Sequence, residues 1–210
     1  NLDKWDGKTV AEPTKDKQGY YQISTGAELA YFQNQSMQKA KLMCDIDLGE
    51  HPFMPISNVV EFDGCGHTIR GLNVVGNVYV GLFQAISSNC EIKNLTIENA
   101  VVKASNNDAR VGILVGDVRG SLTVENCYVS GTIETTDGTN KIESAGGLIG
   151  NVMKNYSVKI QSCYADAKIK GTTDRGFAGG LVGLSVGTTT IDNSYAVVDM
   201  DIEAGNSIGG

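Results

Sequence analysis

Gly146-Gly147-Leu148-Ile149-Gly150 is one of four copies of a glycine–leucine–aliphatic–glycine stretch, and the spacing of the copies decides the fold. The others are Val80-Gly81-Leu82-Phe83-Gln84, Gly112-Ile113-Leu114-Val115-Gly116 and Gly179-Gly180-Leu181-Val182-Gly183. The leucines stand at 82, 114, 148 and 181, so the steps are 32, 34 and 33 residues. A period of that length marks stacked units, none of which can bury its apolar face alone. Gly81, Leu82, Leu114, Gly116, Leu148, Gly150, Leu181 and Gly183 are accordingly read as structural positions. Ile208-Gly209-Gly210 stands where a fifth copy would begin.

Each unit has a second half. Leu122-Thr123-Val124-Glu125-Asn126-Cys127-Tyr128 is matched by Val158-Lys159-Ile160-Gln161-Ser162-Cys163-Tyr164 and by Thr189-Thr190-Ile191-Asp192-Asn193-Ser194-Tyr195. In the first unit the same pattern is read at Leu95-Thr96-Ile97-Glu98-Asn99-Ala100. Apolar and polar residues alternate, which is the period of a strand with one buried face. The alternation predicts an inward row of Ile97, Val124, Ile160 and Ile191. Ala100, Cys127, Cys163 and Ser194 form a row of small inward residues. Five cysteines without a C-x-x-C spacing favour small buried hydrophobes over a zinc or redox cluster.

Residues 105–108 and 135–139 are rich in Ser, Thr, Asn, Asp and Gly and read as loops. No helical pattern of 10–15 residues separates the strands, which excludes a doubly wound α/β fold. The expected fold is all-β: a right-handed parallel β-helix, each unit a coil of three short strands or a pair of hairpins. In a coil, like side chains stack about 4.8 Å apart. Thr25-Gly26-Ala27-Glu28 is a capping box opening a short helix over 26–35, placed to cap the first coil. The chain divides into a lead-in with capping helix over 1–39 and a β-helix over 40–210, expected to form one structural unit that is cut within a repeat. One strand is expected over Lys41–Leu48, with Leu42, Cys44, Ile46 and Leu48 inside. A hydrophobic content of 41% supports a packed core, and 26 glycines with 3 prolines suit tight corners. A net charge of -7 argues against nucleic acid as partner, and no apolar run is long enough for a transmembrane helix.

The repeats resemble those of the GLUG-repeat proteins of bacterial surfaces. The four Gly-Leu copies and Asn126-Cys127-Tyr128 with its equivalents carry the resemblance. A lead-in similar to that of Bacteroides-type members adds to it: Trp5-Asp6-Gly7, Tyr21-Gln22-Ile23-Ser24-Thr25, Asp45-Ile46-Asp47-Leu48 and Phe62-Asp63-Gly64. Gln84 in place of the closing glycine and Ile113 in place of a glycine depart from the pattern. The resemblance implies a secreted or outer-membrane-anchored β-solenoid similar to filamentous-haemagglutinin adhesins. It implies adhesion or display, with a glycan or host surface protein as partner. It also implies further domains in a longer chain or end-to-end self-association. Such repeats accompany immunoglobulin A peptidases, yet the repeat itself has no catalytic motif.

No catalytic constellation emerges from the residues, and the reading is non-enzymatic. The histidines are His51 and His67, and H-E-x-x-H is absent. Gly183-Leu184-Ser185-Val186-Gly187 spells G-x-S-x-G, but a strand pattern follows it and no histidine does. The rival readings are a polysaccharide lyase or glycosidase on a β-helix, and a structural stalk. Glu98, Glu125 and Asp192 form an expected outward row with Gln161. Like charges at that spacing repel, and a calcium ion would relieve them; solvated surface is the simpler reading. Tyr128, Tyr164 and Tyr195 form an outward aromatic row. It is either a structural ladder or a platform for sugar rings. Thr132, Lys168 and Asp199, with Glu134, Lys170 and Asp201 beside them, should form ion pairs across rungs.

Overall fold

The computed structural model describes residues 3–173, 176–204 and 207–209. It is a parallel β-solenoid of about four turns, and each turn contributes one strand to each of four sheets. We number the sheets I to IV in the order the chain visits them. The second coil passes through Ala109–Gly112, Val115–Val118, Ser121–Glu125 and Tyr128–Thr135. The third passes through Ile142–Gly146, Ile149–Val152, Ser157–Gln161 and Tyr164–Thr173. A coil therefore holds four strands rather than three, and parallel pairing throughout the sheets replaces the hairpin alternative. Ser207–Gly209 pairs with Phe177–Gly179, where the fifth copy was expected, and Gly210 lies outside the described residues.

Corners come from residues that tolerate a left-handed backbone. Asn94, Asn126, Ser162 and Asn193 hold φ of 53°, 49°, 53° and 47° between sheets III and IV. Asparagine adopts this region at lower cost than most side chains. The column is also linked, since Asn126 Nδ2 donates to Asn94 Oδ1 at 3.3 Å and Asn94 Nδ2 to Asp63 Oδ1 at 3.1 Å.

The Gly-Leu stretch is the corner between sheets I and II. Leu82, Leu114 and Leu148 are fully buried there, and Leu181 is half-buried. The glycines serve a different purpose. A Cβ on Gly150 would lie 2.5 Å from Val111 N and 2.6 Å from Gly116 O. One on Gly183 would lie 2.6–2.7 Å from the Ala145 backbone, and one on Gly116 would run into Val80 N and Tyr79. Each sheet II strand thus rests its outward face against the sheet I strand of the coil before, backbone on backbone. Sheet I starts at Tyr79–Val80, so the first sheet II strand, Phe83–Ile86, has no such cover. This accounts for Gln84: it occupies the closing-glycine position and is exposed. Ile113 is fully buried and adds core volume where the other copies have glycine.

Pairing in the first coil differs from the expected alignment. Ile92, not Ile97, stands beside Val124, followed by Ile160 and Ile191. Thr96 pairs with Tyr128, so Leu95 rather than Ala100 lies beneath Cys127. The corner residue of the first coil is Asn94, not Asn99, and Asn99 forms a bulge further along. Glu98 and Asn99 oppose the single residue Ser130, and Asn99 takes φ of 51° with its N–H on Ser130 Oγ at 2.9 Å. Cys127 and Cys163 are buried thiols in one inward column.

The amino-terminal part adds strands to two sheets. Tyr21–Ile23, Met37–Leu42 and Val59–Asp63 extend sheet III, and Thr68–Arg70 and Asn73–Gly76 extend sheet IV. The proposed boundary at 39/40 falls inside Met37–Leu42, and one hydrophobic core runs from Trp5 to Ala178. Thr25 and Glu28 form both bonds of the capping box. The α-helix covers Gly26–Ala30 and continues as a 3₁₀ turn over Tyr31–Asn34. The strand expected over 41–48 breaks at a corner: Met37–Leu42 lies in sheet III and Ile46–Asp47 in sheet IV. Leu42, Ile46 and Leu48 are buried, while Cys44 at the corner is half-buried.

Burial, with the Glu91 and Glu61 carboxylates nearby, pushes the Cys90 thiol up to about 12 from 9.0. The fold favours the neutral thiol. Its contribution is complete below pH 9 and falls as pH rises towards 12, by at most about 1.4 kcal/mol per pH unit. Urea unfolding followed between about pH 8 and 11 should show this slope, and Cys90→Ala should flatten it. An unchanged slope in the variant would remove Cys90 as its source.

Candidate functional site

The outward face of sheet IV carries the aromatic row. Tyr128, Tyr164 and Tyr195 pair directly across three coils. Ring centroids are 5.6 Å apart for the first pair and 4.6 Å for the second, with planes tilted by 60° and 41°. Tyr128 is 50% exposed and Tyr195 61%, so the row presents ring surface to solvent. Tyr164 is half-buried between them; this burial and the neighbouring Asp166 raise its phenol above the ordinary value. Tilted rings at these distances stabilise one another. The row is therefore a ladder, and its two outer members keep free faces.

The alternation places Ser130, Asp166 and Val197 two residues further along the same face, then Thr132, Lys168 and Asp199. Lys168 Nζ pairs with Asp199 at 2.8 Å, and Glu134 lies 3.5 Å from Lys103 and 4.0 Å from Lys170. The Lys168–Asp199 and Lys170–Glu134 pairs are those expected from the sequence; Glu134 takes a second lysine from the first coil, and Asp201 forms no ion pair among the described residues. Asp166 has no ion-pair partner among the described residues. A shallow groove runs beside the ladder. Its floor is Ala100, Ser130 and Gly131, and Asn99, Asp166 and Lys168 stand at its edges.

The expected carboxylate row is not assembled. Glu125 and Asp192 share a sheet III column with Gln161, but the first-coil member is Lys93. Glu98 lies in sheet IV beside Arg70, whose Nε is 2.7 Å from its Oε2. The two glutamates lie in different sheets, on either side of the Asn94 corner. Among the described residues, no group of three or more His, Cys, Asp or Glu side chains is arranged to hold a metal. Ser185 lies in a strand, its Oγ 2.7 Å from Thr189 Oγ1, and the strand Thr188–Asp192 follows. His67 Nδ1 lies 3.4 Å from Asp45.

One constellation escaped the sequence reading. Asp117 is fully buried at the layer between sheets I and II. Arg119 Nε reaches its Oδ2 at 2.6 Å, Arg110 NH1 its Oδ1 at 3.3 Å, and Asn151 Nδ2 the same oxygen at 2.7 Å. Glu143 takes Arg110 Nε at 2.8 Å, and the Tyr79 ring lies 4.5 Å from the Arg119 guanidinium. The signal was a polar residue inside an otherwise apolar strand: Val115-Gly116-Asp117-Val118 and Ile149-Gly150-Asn151-Val152. Both carboxylate oxygens of Asp117 are thus bonded and closed to solvent.

Among the described residues, no helix is long and apolar enough to cross a membrane. No family model matches the chain, so the likeness to GLUG-repeat proteins rests on the residues quoted above. An alignment 108 positions long, covering 48% of the chain, is 39% identical to halomucin of Haloquadratum walsbyi. The chain spans 1% of the length of that protein. A solved structure from Bacteroides ovatus, described as "a putative immunoglobulin A1 protease", shares the fold. The TM-score is 0.54 at 14% identity, over 96% of this chain and 87% of the other. At that identity the likeness is one of fold.

Proposed function

We propose that this β-solenoid is a non-enzymatic bacterial surface module that displays a ligand-binding face for adhesion. The observation that carries the reading is the exposed ladder Tyr128–Tyr164–Tyr195 on sheet IV. Aromatic faces supply large contact area at low entropic cost, and a row of them suits an extended partner. Sugars are that partner, because their flat C–H faces stack on rings. The resemblance to surface repeats and the match to halomucin support the setting, secreted or anchored at the outer surface. Further domains of a longer chain belong to the same reading.

The test is a broad glycan array probed with the purified chain, with and without calcium. Tyr164→Ala should weaken every specific signal at least roughly tenfold, as loss of a central aromatic contact does. Full binding by the variant would sink the platform. Degradation of a bound polysaccharide would replace this reading with the lyase or glycosidase one. Silence on the array would favour the stalk.

A further inference from the structure

Beside the ladder, a second column has the complementary chemistry. Ser130 and Asp166 pair on adjacent coils, one side-chain position along from Tyr128 and Tyr164. The groove beside them is lined by Ala100 and Gly131, whose partner strands pair backbone to backbone there. The bulge at Asn99 forms one edge of this groove. The nearest cation on the face, Lys168, is held by Asp199. Asp166 is exposed and has no hydrogen-bond or ion-pair partner among the described residues. The strip thus offers ring faces on one side and an uncommitted acceptor on the other, with local charge on the negative side.

We infer that the Tyr128–Tyr164–Tyr195 column and the Asn99–Ser130–Asp166 groove form one binding strip for a neutral, linear glycan lying along the solenoid axis. This rests on the ligand-binding reading above. Tyr128 and Tyr195 offer their free ring faces, and Tyr164 its exposed edge, to the sugar rings. The Asp166 carboxylate accepts from ring hydroxyls, and Ser130 and Asn99 add shorter polar contacts. The direction follows from the register: like groups repeat along the axis at the rung spacing of about 4.8 Å, close to one sugar unit. The class follows from charge. An acidic glycan would set its carboxylates against Asp166 with no free cation on the strip to offset them.

Calorimetry with neutral oligosaccharides of one to six units tests this, with oligogalacturonates as acidic counterparts. Affinity should rise steeply up to about three units, the length of the ladder, and then level off. Asp166→Ala should lower affinity roughly tenfold, since it removes a charge-assisted hydrogen bond. Asp166→Asn should lose less and should narrow the gap between neutral and acidic ligands. Asp166 is exposed and unpaired, so an unchanged melting temperature should confirm that both variants fold. Tighter binding of the acidic series, no gain from one unit to three, or an unaltered affinity in Asp166→Ala overturns the strip. If Tyr164→Ala abolishes binding while Asp166→Ala leaves it intact, the ladder stands and the groove falls. If the wild-type chain binds neither series and captures a protein instead, both fall.

Discussion

Gly150→Ala should cost about 3 kcal/mol of stability, a large part of what a single domain has. The added Cβ would meet Val111 N at 2.5 Å, Gly116 O at 2.6 Å and Arg110 C at 2.9 Å. All three atoms are backbone, so no side chain can rotate aside. Sheets I and II would have to part, and the strain would pass to Val111 and Val152, both fully buried. The control is built into the repeat. Gln84 occupies the same column beneath Gly116 but has no strand outside it. Gln84→Ala should change stability by no more than about 0.5 kcal/mol. Urea unfolding monitored by circular dichroism measures both. Equal midpoints for the two variants would refute backbone-on-backbone contact as the reason for the glycines.

Removal of the buried carboxylate comes next in size. Asp117→Ala should cost about 3 kcal/mol, since deleting one member of a buried ion cluster leaves the others uncompensated. Arg110 and Arg119 keep some solvent access, with side chains 19% and 39% exposed, which moderates the penalty. Asn151 fares worse. Its Oδ1 already has no hydrogen-bond partner among the described residues, and its Nδ2 would lose Asp117. In the Asp117→Ala background, Arg119→Ala should cost markedly less than in the wild type, with a coupling of about 1–2 kcal/mol. The loss should persist at about 1 M salt, because screening acts weakly on a buried carboxylate. Additive effects, or a loss that salt abolishes, would mean that Asp117 contributes only as an exposed ion pair would.

The coil count, the all-β class and the outward tyrosines were legible because they depend on period alone. Leu82, Leu114, Leu148 and Leu181 mark one corner, and side chains alternate from there. The first coil misled because Leu95-Thr96-Ile97-Glu98-Asn99 imitates Leu122-Thr123-Val124-Glu125-Asn126 in letters. Counting from the corner leucine separates them: Asn94 and Asn126 each follow it by 12 residues, whereas Asn99 follows by 17. The wrong alignment also placed Glu98 with Glu125, and the calcium row came from it. A bulge is a local conformational choice at Asn99, and no periodicity carries it. The contact between sheets I and II was likewise hidden. Glycine reads as a turn residue in isolation, and only the partner strand shows that it was chosen for thinness. The corner at Met43–Asp45 was invisible because inward residues continue on both sides of it.

Nearly identical coils carry a hazard of their own: a chain can pair with itself one whole period out of place and still bury aliphatic side chains. Most columns here would tolerate such a slip, since Val, Ile and Leu substitute for one another. The column Ala85, Asp117, Asn151 and Leu184 would not. Shifted by one coil, Asp117 would keep Arg110 and Arg119, which belong to its own coil, but would lose Asn151, and Arg110 would lose Glu143. Buried polar groups stripped of cross-coil partners in this way are costly to a folding chain. The cluster at Asp117 thus acts as an address label, giving the second coil an identity that its hydrophobic pattern cannot supply.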